Sequence, residues 1–292
     1  MNIQYMRPGW NWAHLALLVT VLAGLWLAHT QQWSLALTGL LASVWIIGWL
    51  VLAEWRCPHR HDWAPSPTDL KRDGFYFLLA AVTDGLAKWL IRGVAVLLGT
   101  QWGSDWGGGE LLREWPLWMT VALALWIGEF GPYWVHRWAH AGGWLWRVHA
   151  LHHAPSAVNT TNNVTAHPIN VLWVELLRVL PLLLLGFSAE AIVYAGILAQ
   201  AQSFATHANT PGHMGWLNLL IGTAELHRRH HSTREEEAMN YGTAVPLWDQ
   251  IFGTYRWRAV PEPQQVGLFS PAAYPRSTDV VAWLTYPFRR MR

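Results

Sequence analysis

Apolar runs long enough to cross a bilayer limit what this chain can become. Residues 13–29 and 33–53 contain no Asp, Glu, Lys or Arg. Each is close to the ~20 residues that a membrane-spanning helix needs. A third run, 75–99, is interrupted by Asp84, Lys88 and Arg92. These fall at i, i+4 and i+8 and share one helix face, which is expected to turn toward protein or the membrane interface and away from lipid. Residues 116–135 form a fourth run, and 169–187 with 189–206 form two shorter ones parted at Gly186, Phe187 and Ser188. Composition agrees: 13% of residues are charged, against about 25% in soluble domains. The 23 Trp suit a boundary where one edge of a ring meets apolar chains and the other meets headgroups.

The connections predict an orientation. The link at 54–74 carries Arg56, Arg60, Lys71 and Arg72, the link at 30–32 carries no basic residue, and the Gly-rich link at 100–115 carries only Arg113 among Asp105, Glu110 and Glu114. The positive-inside rule places 54–74 in the cytoplasm and 100–115 outside. Four crossings then put the N-terminus and everything from residue 136 onward in the cytoplasm, with 169–206 returning as a hairpin. Arg289, Arg290 and Arg292 fit a cytoplasmic end. The start, Met1 to Trp12, does not resemble a cleavable signal peptide, because the following apolar run is too long. The expected fold is an all-α integral membrane bundle of four transmembrane helices plus a helical hairpin, under a cytoplasmic histidine-rich helical cap. Three regions are expected: a transmembrane region at 1–115, a histidine-rich region at 116–258 and a cytoplasmic tail at 259–292. The bacterial inner membrane is the expected location.

Net charge is +2, too small to argue for nucleic acid. The single Cys57 leaves no disulfide framework and no thiolate metal site. Histidine is another matter. Of 15 histidines, eleven lie between 136 and 231. His136 and His140 are i, i+4. His149, His152 and His153 are i, i+3, i+4, a pattern that His227, His230 and His231 repeat. Residues three and four apart share a helix face, so each cluster aims imidazoles, the commonest protein metal ligands, in one direction. Lone histidines such as His14, His29, His59, His61 and His213 are expected as interfacial or capping residues. Eight imidazoles beside apolar segments would be costly to bury without partners. They exceed one tetrahedral site and suit two ions in one pocket. All-histidine donation with open positions suits iron, and zinc fits the same donors.

The motifs HRWAH (136–140), WRVHALHH (146–153), AHP (166–168), HAN (207–209), LHRRHHS (226–232), NYG (240–242) and WDQIFGTY (248–255) follow one another in order. Over these ~120 residues the chain resembles the fatty acid hydroxylase / sterol desaturase superfamily of membrane di-iron oxygenases. The resemblance implies that His136, His140, His149, His152, His153, His227, His230 and His231 are catalytic iron ligands. It adds His167 and His207 to the set, with a hydrogen-bonding or capping role as the alternative for these two. Members often carry an acidic residue two positions after the His-Pro pair. Asn170 stands there instead, and Glu175 is a substitute that Arg178 is better placed to engage. Glu225, Asp249 and Asn240 are candidates to accept the second ring N–H of ligand histidines. Trp248-Asp249 equally suits a packed turn, and Glu235, Glu236 and Glu237 a solvated charge run.

The implied chemistry is O2-dependent hydroxylation of a lipid C–H bond, with desaturation and ether cleavage as variants. Two Fe ions, for which zinc can substitute, and O2 are required, and no organic cofactor is expected. A cavity between the helices would admit the lipid from the membrane. With no haem segment or dinucleotide fingerprint, electrons are expected from a separate ferredoxin, cytochrome or reductase, docking at Arg228, Arg229 and Arg234 by charge complementarity. The alternatives are a membrane metal-binding or transport protein and a lipid-binding protein with a structural zinc pair.

Overall fold

A computed structural model describes residues 9–102, 112, 114–257 and 262–289. The link at 103–111, Arg113, the stretch 258–261, Arg290 and Arg292 lie outside the described residues, as does most of the chain on which the expected outer loop depends. The described residues are helical, with only two isolated β-bridges.

Helices α1 (Trp12–Thr30), α2 (Leu35–Arg56) and the first part of α3 (Pro67–Trp102) are long and apolar enough to cross a membrane. Each starts at a polar cap. Asn11 accepts from the His14 amide and Ser34 from that of Leu37. At α3, Ser66 and Asp69 exchange hydrogen bonds, the Ser66 amide to Asp69 Oδ2 at 3.0 Å and the Asp69 amide to Ser66 Oγ at 3.2 Å. Ser66-Pro67-Thr68-Asp69 is thus a reciprocal cap with proline at the first helical position. It starts the helix eight residues before the apolar run at 75. Val19, Leu40, Val44, Leu78 and Val82 are each more than 60% exposed. Whole rows of apolar side chains thus face outward, as a lipid-facing surface requires.

The charged face of α3 does not pack on protein. Along its apolar run the buried positions are Tyr76, Thr83, Ala87 and Ile91, whereas Lys88 and Arg92 are exposed and Lys88 pairs with Asp84 at 2.6 Å. The i, i+4 pair satisfies its own charge, which lets the small and apolar positions take the interior.

Helix α4 (Leu117–His140) is the central strut. Helices α6 (Pro168–Leu184) and α7 (Ala189–His207) are consecutive, and both pack against α4. Close contact with α6 uses Gly128 and Gly131: a Cβ on Gly131 would meet Leu177 Cβ and the Leu177 carbonyl oxygen at 2.8 Å. There Arg178 reaches back to Glu129 at 2.9 Å while holding Glu175 at 3.1 Å. Helix α3 packs against the other side of α6, and α2 and α1 against α7.

The two ends of the bundle are distinguishable. At one, Trp10 bridges His213, Asn11 donates to Thr210 at 3.0 Å and the His59 amide donates to the Asn209 carbonyl at 2.8 Å. The start of α1, the α2–α3 link and the end of α7 therefore meet there. At the other, His29 pairs with Glu190 at 2.8 Å, and Trp118 stacks on Trp26 and Tyr194. A cavity of about 200 Å³ lined by Trp115, Leu117, Thr120 and Phe187 opens at this second end, far along α4 from the histidines and not beside them.

Candidate metal centre

Four helices deliver histidines with their final turns. His136 and His140 close α4, His149 is the last residue of α5 (Gly143–His149), His207 ends α7, and His227 and His230 lie in the last turn of α8 (Ala224–His230). Helix C-termini carry partial negative charge from unpaired carbonyls and favour a cation nearby. His152 and His153 follow in the turns after α5, and His231 caps α8.

The rings sort into two groups. One nitrogen from each of His136, His140, His149, His153 and His230 lies within 4.8 Å of all the others. His152, His207, His227 and His231 meet the same limit in a second group. Neighbours in sequence are split between the groups. The His152 and His153 rings stand at 90° and those of His230 and His231 at 87°, so each His-His pair serves both sites. His153 and His231 stack at 4.3 Å across the divide.

Tautomers show what the groups are built to hold. His136 Nδ1 donates to the Tyr241 carbonyl at 2.7 Å, and His230 Nδ1 to the Met239 carbonyl at 3.1 Å. A carbonyl only accepts, so both rings carry their proton on Nδ1. Their Nε2 atoms, 3.0 Å apart, are then two lone pairs facing each other, an arrangement that repels unless a cation lies between them. In the second group, His207 Nδ1 meets Asn162 Oδ1 at 3.2 Å, and the Nε2 atoms of His207 and His152 face each other at 3.1 Å. His140 Nε2 is buried without a hydrogen-bond partner. Protons are a poor substitute for the cation. Burial pushes His149 and His152 down to about 3, with neighbouring imidazoles adding to the effect, and it holds His153, His227, His230 and His231 well below the ordinary value.

The residues therefore fit metal ions. Ring nitrogens face each other at 3.1 Å in the pairs His149–His153 and His227–His231 as well, and each group gathers its donor nitrogens within 4.8 Å of one another.

The supports behind the rings come partly from residues that motif spacing does not reveal. Asn170 fills the place of the missing acid: its Oδ1 lies 3.0 Å from His149 Nδ1. Glu175 is occupied by Arg178. The buried segment 158–165 carries Asn162 behind His207, and Asp73 of α3 accepts from Thr161 and Thr165 at 2.8 Å, fixing that segment in place. Glu54 of α2 ties Thr160 and Asn209 together at 2.6–2.8 Å. The signal was present as the Asn/Thr-rich run VNTTNNVT between apolar segments; such a run inside a core must be fully hydrogen-bonded.

Asp249, at the start of α9 (Leu247–Ile251), acts one step removed. It accepts from the amides of Tyr241 and Gly242 at 2.8 and 2.7 Å and from the Thr254 hydroxyl at 2.6 Å, and so fixes the carbonyl that His136 uses. The NYG motif follows from this clasp. Asn240 sits at φ 63°, and a Cβ on Gly242 would lie 2.9 Å from Asp249 Oδ2. Asn240 pins the chain to Arg256 and Leu226. Glu225 serves Asn218 and the Met214 amide, not a histidine.

Two expectations meet a different structure. His167 joins neither group: it caps α6 by accepting from the Ile169 amide, and its Nε2 donates to the Leu284 carbonyl at 3.2 Å. Arg228 is 1% exposed, held by Glu262 at 2.6 Å and the Thr210 carbonyl at 2.8 Å, so it is no docking residue. Of the three arginines Arg234 is exposed.

Residues 121–254, which include all nine grouped histidines, match the fatty acid hydroxylase family. The ornithine lipid hydroxylase OlsE of Rhizobium tropici is 35% identical over 61% of this chain and 53% of its own. The alkylglycerol monooxygenase of Xenopus tropicalis is 28% identical over 72% and 46%, and the Delta(7)-sterol 5(6)-desaturase erg3B of Aspergillus fumigatus 27% identical over 61% and 50%. The chain spans about half the length of these curated relatives. No solved structure matches it significantly. The ordered histidine motifs, their convergence and these matches agree: residues 121–254, which carry both histidine groups, match the fatty acid hydroxylase family, and the chain is similar to lipid hydroxylases, monooxygenases and sterol desaturases.

Proposed function

We propose that this protein is a membrane-bound di-iron oxygenase that hydroxylates or desaturates a C–H bond of a lipid, using O2 and electrons from a separate donor. The observation that carries the reading is the pair of histidine groups whose ring nitrogens converge in a buried site, 3.0–3.1 Å apart in four pairs, with two lone pairs facing each other between His136 and His230. His136, His140, His149, His153 and His230 would hold one ion, and His152, His207, His227 and His231 the other. Bound iron supplies the activation of O2 needed to break an unactivated C–H bond. The chain supplies the rest. Nδ1 bonds to Tyr241, Met239, Asn170 and Asn162 fix ring orientation and tautomer, and burial keeps the imidazoles neutral and excludes water.

The substrate is lipid, in keeping with the relatives' names and with the rows of exposed apolar side chains on α1, α2 and α3. Four crossings, a returning α6–α7 pair and a cytoplasmic cap account for the two-ended bundle. On that scheme the regions are 1–115, 116–258 and 259–292, and both termini are cytoplasmic in a bacterial inner membrane. The donors form one dry knot at helix ends and are not strung along a path, which argues against transport.

The test is anaerobic reconstitution with Fe(II), Mössbauer spectroscopy of the loaded protein, and O2 uptake with a reduced ferredoxin or a chemical donor in the presence of membrane lipid extract. Two iron ions per chain and a lipid gaining one oxygen atom are expected. Iron-loaded protein that consumes no O2 with any extract and donor refutes the proposal.

A further inference from the structure

The two histidine groups differ in what surrounds them. The ring neighbours of the four-histidine group are other histidines. The five-histidine group touches oxidisable aromatics. The Trp146 indole lies 5.2, 5.5 and 6.3 Å from the rings of His140, His153 and His149. Its Nε1–H donates to the Tyr274 hydroxyl at 2.8 Å. Tyr274 is half-buried and lies against Trp283 and Tyr286, with ring centres 6.2 and 5.7 Å away. Trp146 also stacks on Phe269, which is too hard to oxidise to carry charge onward.

A second aromatic line leaves the same group through Tyr241 toward Tyr133 and Trp134. It is electrostatically blocked. Arg137 donates to the Tyr133 hydroxyl at 3.1 Å and sits 5.3 Å over the Trp134 ring, so a fixed positive charge opposes loss of an electron from either. On the first line the hydrogen bond favours oxidation, because an indole that donates its N–H to a neutral phenol is the better stabilised once oxidised.

We propose that Trp146 and Tyr274 form an escape route that drains oxidising equivalents from the five-histidine site when no substrate is there to consume them. This rests on the oxygenase reading above. One electron passes from the Trp146 indole to the oxidised site. Tyr274 then returns one electron to Trp146 and releases its phenol proton to water, leaving a neutral tyrosyl radical at a half-buried position. A thiol-class reductant gives that radical one electron, and water returns the proton. The site is reduced by one equivalent each time and its ligands are spared.

The test uses full-length protein loaded with Fe(II) in detergent without added lipid, chemically reduced and mixed with O2. O2 uptake, freeze-quench EPR and peptide mass spectrometry are measured on the same samples. The wild type is expected to give a tyrosyl signal. Tyr274→Phe should lose that signal and accumulate oxidised Trp146, and Trp146→Phe should lose both while oxidation moves to the ligand histidines, all at unchanged iron content. O2 uptake with no wild-type radical, or with a radical unaltered in Tyr274→Phe, overturns the route. Absence of O2 uptake sinks the oxygenase reading and the route with it, and is recognised separately because uptake is recorded directly.

Discussion

Replacing Asn170 by Leu should weaken one metal site and spare the other. Asn170 Oδ1 accepts the Nδ1–H of His149 at 3.0 Å, and the His149 ring is buried with its Nε2 aimed at the five-histidine group. Leucine roughly fills the same volume but accepts nothing. A buried N–H left without an acceptor costs about 1–3 kcal/mol. Because the ring must keep that proton on Nδ1 to present Nε2, the cost falls on the metal-bound state. At about 1.4 kcal/mol per decade, affinity should fall some 5–150-fold, in line with the ~10–100-fold typical of lost supports behind metal ligands. Asn170→Asp should do the opposite, since a carboxylate is the stronger acceptor. The assay is titration of metal-free protein with Co(II) against a competing chelator, which resolves two affinities. The reasoning fails if Asn170→Leu leaves both affinities unchanged or weakens the four-histidine group, which Asn170 does not touch.

Asp249→Asn puts an amide where a carboxylate accepts two backbone amides and a hydroxyl; it should loosen the Tyr241 carbonyl and cost about 2–3 kcal/mol of thermal stability, read as a lower Tm. Gly131→Val places carbon atoms against Leu177, where 2.8 Å is available, and should destabilise by about 1–3 kcal/mol with α6 displaced from α4, read by protease sensitivity. His167→Asn preserves an N-cap and should retain both ions by elemental analysis; loss of one would return His167 to the ligand set. For metal-free protein, stability should fall with acid. His149 and His152 titrate near 3 when folded, against 6.5 ordinarily, so the unfolded chain binds protons first. Stability is intact above about pH 6.5 and declines below it toward 3, measurable as a Tm that drops between about pH 7.5 and pH 5.

The eight clustered histidines were legible because helix geometry converts spacing into direction. His167 and His207 show where that logic ends. Each is a single histidine beside a helix terminus, but α7 ends at the cluster and α6 merely begins near it, a distinction made by packing on α4. Asn170 looked like a missing acid because the need is for an acceptor, which an amide oxygen meets. Arg228 looked like a surface charge because Glu262, its partner, lies 34 residues away. Asp84, Lys88 and Arg92 share a face as their spacing says, but self-pairing removed the reason to bury it. The start of α3 at Pro67 was written in a local cap that hydropathy does not weigh.

The splitting of His152 from His153 and of His230 from His231 has a consequence for biogenesis. No single helix carries a complete set of donors, and the last of them, His231, comes 95 residues after the first, His136. A nascent chain that has reached His153 holds four of the five donors of one site but only one of the four of the other. Until α7 and α8 are in place, neither site is complete. On the proposed function, the protein therefore cannot begin two-ion oxygen chemistry while half-made, and the arrival of metal at the four-histidine site reports that the whole bundle has been threaded.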